Sequence, residues 1–202
     1  MKSIWNKGKK LLLELFIVFL GVYLAFQLNN YKENIALNKL KNNYYTLILS
    51  EFQANLREIS YAENGIKDYL NKLKSDIVEK ETPKIKSLKS IDLENNMLVL
   101  KSAFENGYLE NINPKYISNL SIGSNSLTRV SKLIDKYNYS IDNVLKENNW
   151  NKELFYNEDK ELKDEYKWII DDLEFIQEYL KQLKNAFENG AIPETKKLIE
   201  TK

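Results

Sequence analysis

The chain has 202 residues, with 30 Lys+Arg against 29 Asp+Glu, no His and no Cys. Without Cys there is no disulfide, thiolate zinc site or cysteine nucleophile; without His, the Ser–His–Asp triad and the commonest metal ligand are excluded. Three Pro and six Gly are too few for a turn-rich all-β chain, and 43% hydrophobic residues argue against wholesale disorder.

The charge is unevenly placed. Lys2, Lys7, Lys9 and Lys10 precede an apolar stretch, and Glu14 lies inside it. From Asn29 onward there are 26 basic and 28 acidic residues. Arg57 and Arg129 are the only arginines, so the bidentate forks that suit phosphates and bases are scarce. No nucleic-acid partner is expected.

Residues 1–10 read as a short basic tail and 11–28 as a membrane-spanning helix. Leu11 to Leu28 carries one charge and would rise about 27 Å as a helix, close to the hydrocarbon thickness of a bilayer. A cleaved signal peptide is the alternative, but residues 21–30, GVYLAFQLNN, hold no clean small-x-small cleavage site. Four Lys flank the N-terminal side, against Lys32, Lys39 and Lys41 beyond the stretch. That bias predicts a bacterial inner-membrane protein with a cytoplasmic N-terminus and a periplasmic main domain.

The anchor has faces. Glu14, Gly21 and Ala25 fall within about 40° of one another around a helix, with Val18 beside them. Gly21-x-x-x-Ala25 is a small-xxx-small pair, which lets two helix backbones approach. A carboxylate such as that of Glu14 is costly in lipid, so it should snorkel, protonate or meet another helix. Tyr23, Gln27, Asn30 and Asn34 make a second, polar stripe on roughly the opposite side. Two contact faces suit self-association; a plain lipid anchor is the simpler alternative. Trp5, Tyr23 and Tyr31 fit interfacial aromatic belts.

Glu14, Gly21, Ala25, Gln27, Asn29, Asn30, Tyr31 and Glu33 spell E-x6-G-x3-A-x-Q-x-N-N-Y-x-E. This resembles the N-terminal signature of a family of uncharacterised single-pass membrane proteins of Bacteroidota. In that family an anchor ending in Q-x-N-N-(Trp or Tyr) leads into a helical domain. The resemblance implies topology and carries no chemistry. This chain departs from it in its short N-terminal tail and in Lys and Asn where Arg and Glu are common.

Residues 29–202 read as a helical bundle, making the fold class all-α: a membrane helix continuing into a long helix of an antiparallel, up-and-down bundle. Helices are expected at about 31–81, 92–106, 126–149, 159–189 and 193–200. The first carries Tyr45, Leu49, Phe52, Leu56, Ile59, Ile66, Leu70, Leu73 and Ile77 at three–four spacing, with Glu63 the one miss. Leu37, Leu40, Tyr44 and Leu47 keep a neighbouring phase. The beat crosses Gly65, which favours an unbroken helix over a turn at Asn64-Gly65. A Pro- and Lys-containing loop follows at 82–90, where Lys80, Lys84, Lys86 and Lys89 form a small basic patch.

Asp92 is the expected N-cap of the second helix. A connection with a short helix near Pro114–Leu120 leads to a third helix from about Ser126, with Leu127, Val130, Ile134, Tyr137, Ile141 and Val144 inward. The fourth carries Leu162, Tyr166, Ile169, Leu173, Ile176, Leu180, Leu183 and Phe187. Ala-Phe-Glu-Asn-Gly occurs at 103–107 and 186–190, and both copies read as helix ends, Phe inward and Gly at C′.

No catalytic, cofactor-binding or metal-binding residue is assigned. The carboxylates of Glu158-Asp159-Glu161, Asp164-Glu165 and Asp171-Asp172-Glu174 are interleaved with Lys160, Lys163 and Lys167, which reads as a solvated ion-paired face. The expected function is non-enzymatic: a membrane-anchored bundle acting through protein contacts as a scaffold, assembly subunit or sensor-like module, with the bilayer, its own copies and an unknown protein as partners. The alternative is a homo-oligomeric membrane effector or pore-forming subunit in bacterial defence, its polar anchor residues facing a pore.

Overall fold

The computed structural model describes residues 2–91, 93, 97–109, 112, 114–147 and 151–200. The fold is all-α. In chain order it has α1 (Lys2–Val78), α2 (Leu98–Glu105), α3 (Pro114–Glu147), α4 (Trp168–Ala186) and α5 (Ile192–Glu200). Among the described residues the only bridge of β type is an isolated one, Tyr156 to Leu162. The chain forms two compact units, Met1–Tyr44 and Tyr45–Lys202.

Helix α1 does not break at Gly65, because the glycine keeps helical geometry and the apolar stripe continues on both sides. It stops through a left-handed residue. Lys80 has φ 54°, Lys80 N donates to Ile77 O and Glu81 N donates to Asp76 O. That is the hydrogen-bond pattern of a Schellman cap, with Lys where glycine is usual.

The buried stripe of α1 is Tyr45, Ile48, Phe52, Asn55, Ile59, Ala62, Ile66, Leu70 and Leu73. Leu49, Leu56 and Ile77 are half-buried instead, so the stripe is turned by about one residue from the expected one in its first half. Residues of the neighbouring phase stay outside; Leu37, Leu40 and Leu47 are exposed.

In the second unit, the chain after α1 turns back along it. Lys86 N donates to the hydroxyl of Tyr69, and Val99 N to Glu51. This return leg is a strap over residues 82–91, neither helix nor strand and turned at 89–90, followed by α2. The strap is held by side chains because it has no ladder of its own. The Tyr137 hydroxyl donates to Lys86 O, that of Tyr156 donates to Pro83 O at 2.7 Å, and Leu88 N donates to Asn138 Oδ1. Ile85 and Leu88 are buried beneath it. Then α3 runs parallel to α1, and α4 antiparallel to both. Tyr137 meets Trp168 and Arg129 lies over Tyr179, while Glu63 pairs with Lys184 and Lys74 with Glu174. The up-and-down order is therefore kept, with one leg made of strap and short helix.

Three expected helix starts are corrected. The second helix starts at Leu98; Asp92, its expected N-cap, lies outside the described residues, and Met97 at the cap offers no side-chain bond. The carboxylate of Glu51 takes that role from α1, accepting from Val99 N at 2.7 Å and Leu100 N at 3.1 Å. The connection near Pro114–Leu120 and the third helix are one helix, α3, which passes through Gly123; a Cβ there would meet Phe187 only at ordinary contact distance. The expected end at 149 lies outside the described residues.

The fourth helix starts at Trp168, not at 159. Asn151 and Asn157 accept backbone N–H from Glu153 and Glu161, and Lys160 adopts φ 61°. These local bonds close a tight turn; the 3₁₀ turn Asp164–Tyr166 stands within the expected first helical turns, and another, Lys152–Phe155, precedes them. Leu162 is still buried, but from the turn.

The two Ala-Phe-Glu-Asn-Gly copies differ. The first ends α2: Gly107 has φ 70° and Tyr108 N donates to Ala103 O, as expected of a cap, but Phe104 is exposed and Ala103 is the buried residue. The second does not end a helix. It winds through a π-turn, Phe187–Ala191, into α5, and buries Phe187 against Phe52, edge to face at 5.6 Å.

Candidate functional site

In the first unit α1 presents apolar side chains on every side. From Leu13 to Leu28 each residue is exposed; Leu20, the best covered of the large ones, is still 45% exposed. An 18-residue window of this helix has mean hydropathy 1.5 and is not covered by any part of the protein. In water such a surface is unfavourable by about 25 cal/mol per Å². Among the described residues one helix is thus long and apolar enough to cross a membrane.

The residues singled out from the sequence all lie on this helix. Glu14, Val18, Gly21 and Ala25 share one face as spacing requires, and all are exposed. No atom outside the helix backbone lies within 4 Å of where a Gly21 Cβ would stand, so that face is open. Glu14 has Lys10 one turn before it, at 3.9 Å. Tyr23 and Gln27 are exposed, and Asn30 is half-exposed. At the end of the apolar stretch the side-chain amide of Asn29 donates to Glu33 at 2.7 Å, a local bond between two residues of the N-N-Y-x-E run.

The second unit holds the polar groups that spacing could not place. Glu63, read as a gap in the apolar beat, is buried and receives the ammonium of Lys184 at 3.2 Å. Asn55 is 2% exposed and its Nδ2 has no partner among the described residues. The hydroxyls of Tyr116 and Thr195 meet at 2.6 Å, tying α3 to α5. Burial pushes the Tyr116 phenol up to about 12, and raises those of Tyr137 and Tyr156 further. Glu51 is also raised by burial, against the backbone donors that favour its charged form. These shifts follow from packing and capping, and each group has a structural role in the unit.

The acidic runs are divided among separate partners. Asp164 pairs with Lys167 at 2.6 Å, and that hydrogen bond holds its carboxyl below the usual range. Glu161 faces Lys80 and Glu174 faces Lys74. Among the described residues no three metal-ligating side chains come together. The basic patch of the strap is likewise largely engaged: Lys89 pairs with Asp142 at 2.6 Å and Lys86 lies over the Tyr69 ring.

Sequence reasoning found the exposed helix because hydropathy is local. It missed the Glu63–Lys184 pair and the Glu51 cap because their partners lie 121 and 48 residues away. A charged residue interrupting a strict apolar beat was the one available signal for the pair. Comparison with known proteins finds no matching family model, no matching curated protein and no matching solved structure.

Proposed function

We propose that this is a single-pass membrane protein whose α1 anchors a helical bundle that works by binding other proteins. The carrying observation is the make-up of α1. Its early part exposes apolar side chains all round, and its later part buries one stripe in the core of the second unit. The Lys flank supports a cytoplasmic N-terminus and a periplasmic bundle in a bacterial inner membrane. The signature from Glu14 to Glu33 supports kinship with the Bacteroidota membrane family named above. The open Gly21 and Ala25 face supports association of anchors with one another. Exposed Tyr61, Leu98, Tyr139 and Phe175 give the bundle apolar points for a protein partner.

The absence of Cys makes the test direct, since a single introduced thiol is unique. Ser3→Cys and Glu158→Cys would each be challenged with a membrane-impermeant maleimide in intact spheroplasts. Labelling at position 158 alone, with position 3 reacting only after lysis, is the expected result. The reverse pattern would overturn the orientation, and recovery of the chain in the soluble fraction would overturn the anchor.

A further inference from the structure

The second unit contains a cavity of about 350 Å³ between α1, α3, α4 and the π-turn. That volume is at the lower end of small-molecule pockets. Phe52, Met97 and Phe187 give it an apolar wall; Asn119, Ser126 and Gln182 add polar groups. No charged residue among the described ones lines it.

Two glycines also line it, and neither is explained by the backbone. Gly123 lies within α3 and Gly190 within the π-turn, and neither has a left-handed φ. A Cβ on Gly190 would meet nothing within 4 Å, and one on Gly123 would make only an ordinary contact, 3.8 Å from the Phe187 ring. Glycine in a helix costs about 1 kcal/mol relative to alanine. The visible consequence of both glycines is space: each lines the cavity without a side chain, and a Cβ on Gly123 would stand against the Phe187 ring that walls it. The π-turn adds to this. It widens the helix where Phe187 and Gly190 face the cavity, and such turns recur at functional sites.

We infer that this cavity is a binding site for a small, uncharged, mostly apolar molecule with one hydrogen-bonding group. The apolar wall would take the body of the ligand, and Asn119, Ser126 or Gln182 its polar end. An ionic ligand is disfavoured, because it would lose water without finding a countercharge. This site is independent of the anchor and of any protein partner.

Indole is a suitable probe, being uncharged and apolar with a single N–H. The chain has two methionines, Met1 and Met97, and Met97 lines the cavity. Full-length protein labelled with ¹³C-methyl methionine in detergent would be titrated with indole. A saturable shift of the Met97 methyl, with Met1 showing only a linear drift, is the expected result. Gly190→Leu should fill the space and weaken the apparent affinity by about tenfold or more, the scale on which pockets read added methylenes. Gly190→Ala should weaken it less, in the same direction, and keeps the test open if the leucine variant does not fold. A drift at Met97 that never saturates would overturn the site. So would a saturable shift that is unchanged in a folded Gly190→Leu or Gly190→Ala variant.

Discussion

One helix, α1, belongs to two compact units, and its two parts use apolar residues in opposite ways. From Leu13 to Leu40 the large apolar side chains are exposed wherever they stand on the helix. After Tyr45 they are sorted: Ile48, Phe52, Ile59 and Ile66 are fully buried, while Gln53, Arg57 and Lys67 face out. Helix propensity does not separate the two parts, since both are helical. What separates them is sidedness, which under the proposed function marks the medium that each surface meets. A helix that meets its own protein on one face and water on the other needs a stripe. One that meets lipid on most sides does not.

Substitutions can test that contrast, and the largest effect should come from matched phenylalanines. Phe187→Ala removes a ring that is 1% exposed and packed edge-on against Phe52, and should destabilise the second unit by about 3–5 kcal/mol. Phe19→Ala removes one that is 66% exposed, and should leave the unfolding midpoint of the second unit unchanged in a urea titration followed by circular dichroism. Equal losses from both would end the claim that the two parts of α1 answer to different media.

The charged groups sharpen it next. Lys184→Ala strands the Glu63 carboxylate, and a destabilisation of about 2 kcal/mol is expected, with Lys184 partly exposed and the cost reduced accordingly. Pairing it with Glu63→Leu should recover most of the loss. Lys10→Ala, whose partner Glu14 is exposed within the chain, should not change that unfolding midpoint. A double-mutant cycle showing no coupling between positions 63 and 184 would contradict the first half of this prediction.

Asn55 breaks the sidedness rule from within, as an amide in the buried stripe with an unpaired Nδ2. Asn55→Leu has the same branching and no donor to satisfy, so it should stabilise the unit by about 1 kcal/mol. A lower melting temperature for the variant would show that the amide is satisfied in solution.

The smallest effects concern the backbone of α1. Gly65→Ala should stabilise by up to about 1 kcal/mol, since its Cβ would meet Ile91 Cδ1 at a comfortable 3.9 Å. Lys80→Gly should gain a similar amount by relieving the left-handed cap, its exposed pair with Glu161 being worth little. Loss of stability in either variant, read from thermal melts, would contradict the assigned backbone roles.

How far the sequence reveals this fold depends on the distance over which each feature is held. The stripe of α4 was legible because Ile169, Leu173, Ile176, Leu180 and Leu183 keep a local beat, and all five are buried. The same beat misled at Leu162 and Tyr166, where Asn157 and Lys160 close a turn that periodicity does not register. The second Ala-Phe-Glu-Asn-Gly looked like a cap because its first copy is one; burial of Phe187 beside Phe52 carries the chain on instead. The exposed apolar helix was legible residue by residue. The cavity was not, since its glycines lie 67 positions apart and only packing brings them to one wall.

The strap has a consequence for the order of events in folding. Helical turns close over four residues and can nucleate early, each within its own segment. The strap closes one local backbone bond, Ile91 N to Leu88 O, and is otherwise held from a distance. Its bonds to Tyr69, Asn138, Tyr137 and Tyr156 span 17, 50, 51 and 73 residues, so they form only once α1, α3 and the turn after α3 are already assembled. It is therefore a late-locking segment, and the Lys86 and Leu88 amides, which donate to side chains, exchange with solvent whenever those acceptors swing away. Hydrogen exchange at these two positions is a clock for the assembled unit, reporting brief loosening that leaves every helix wound.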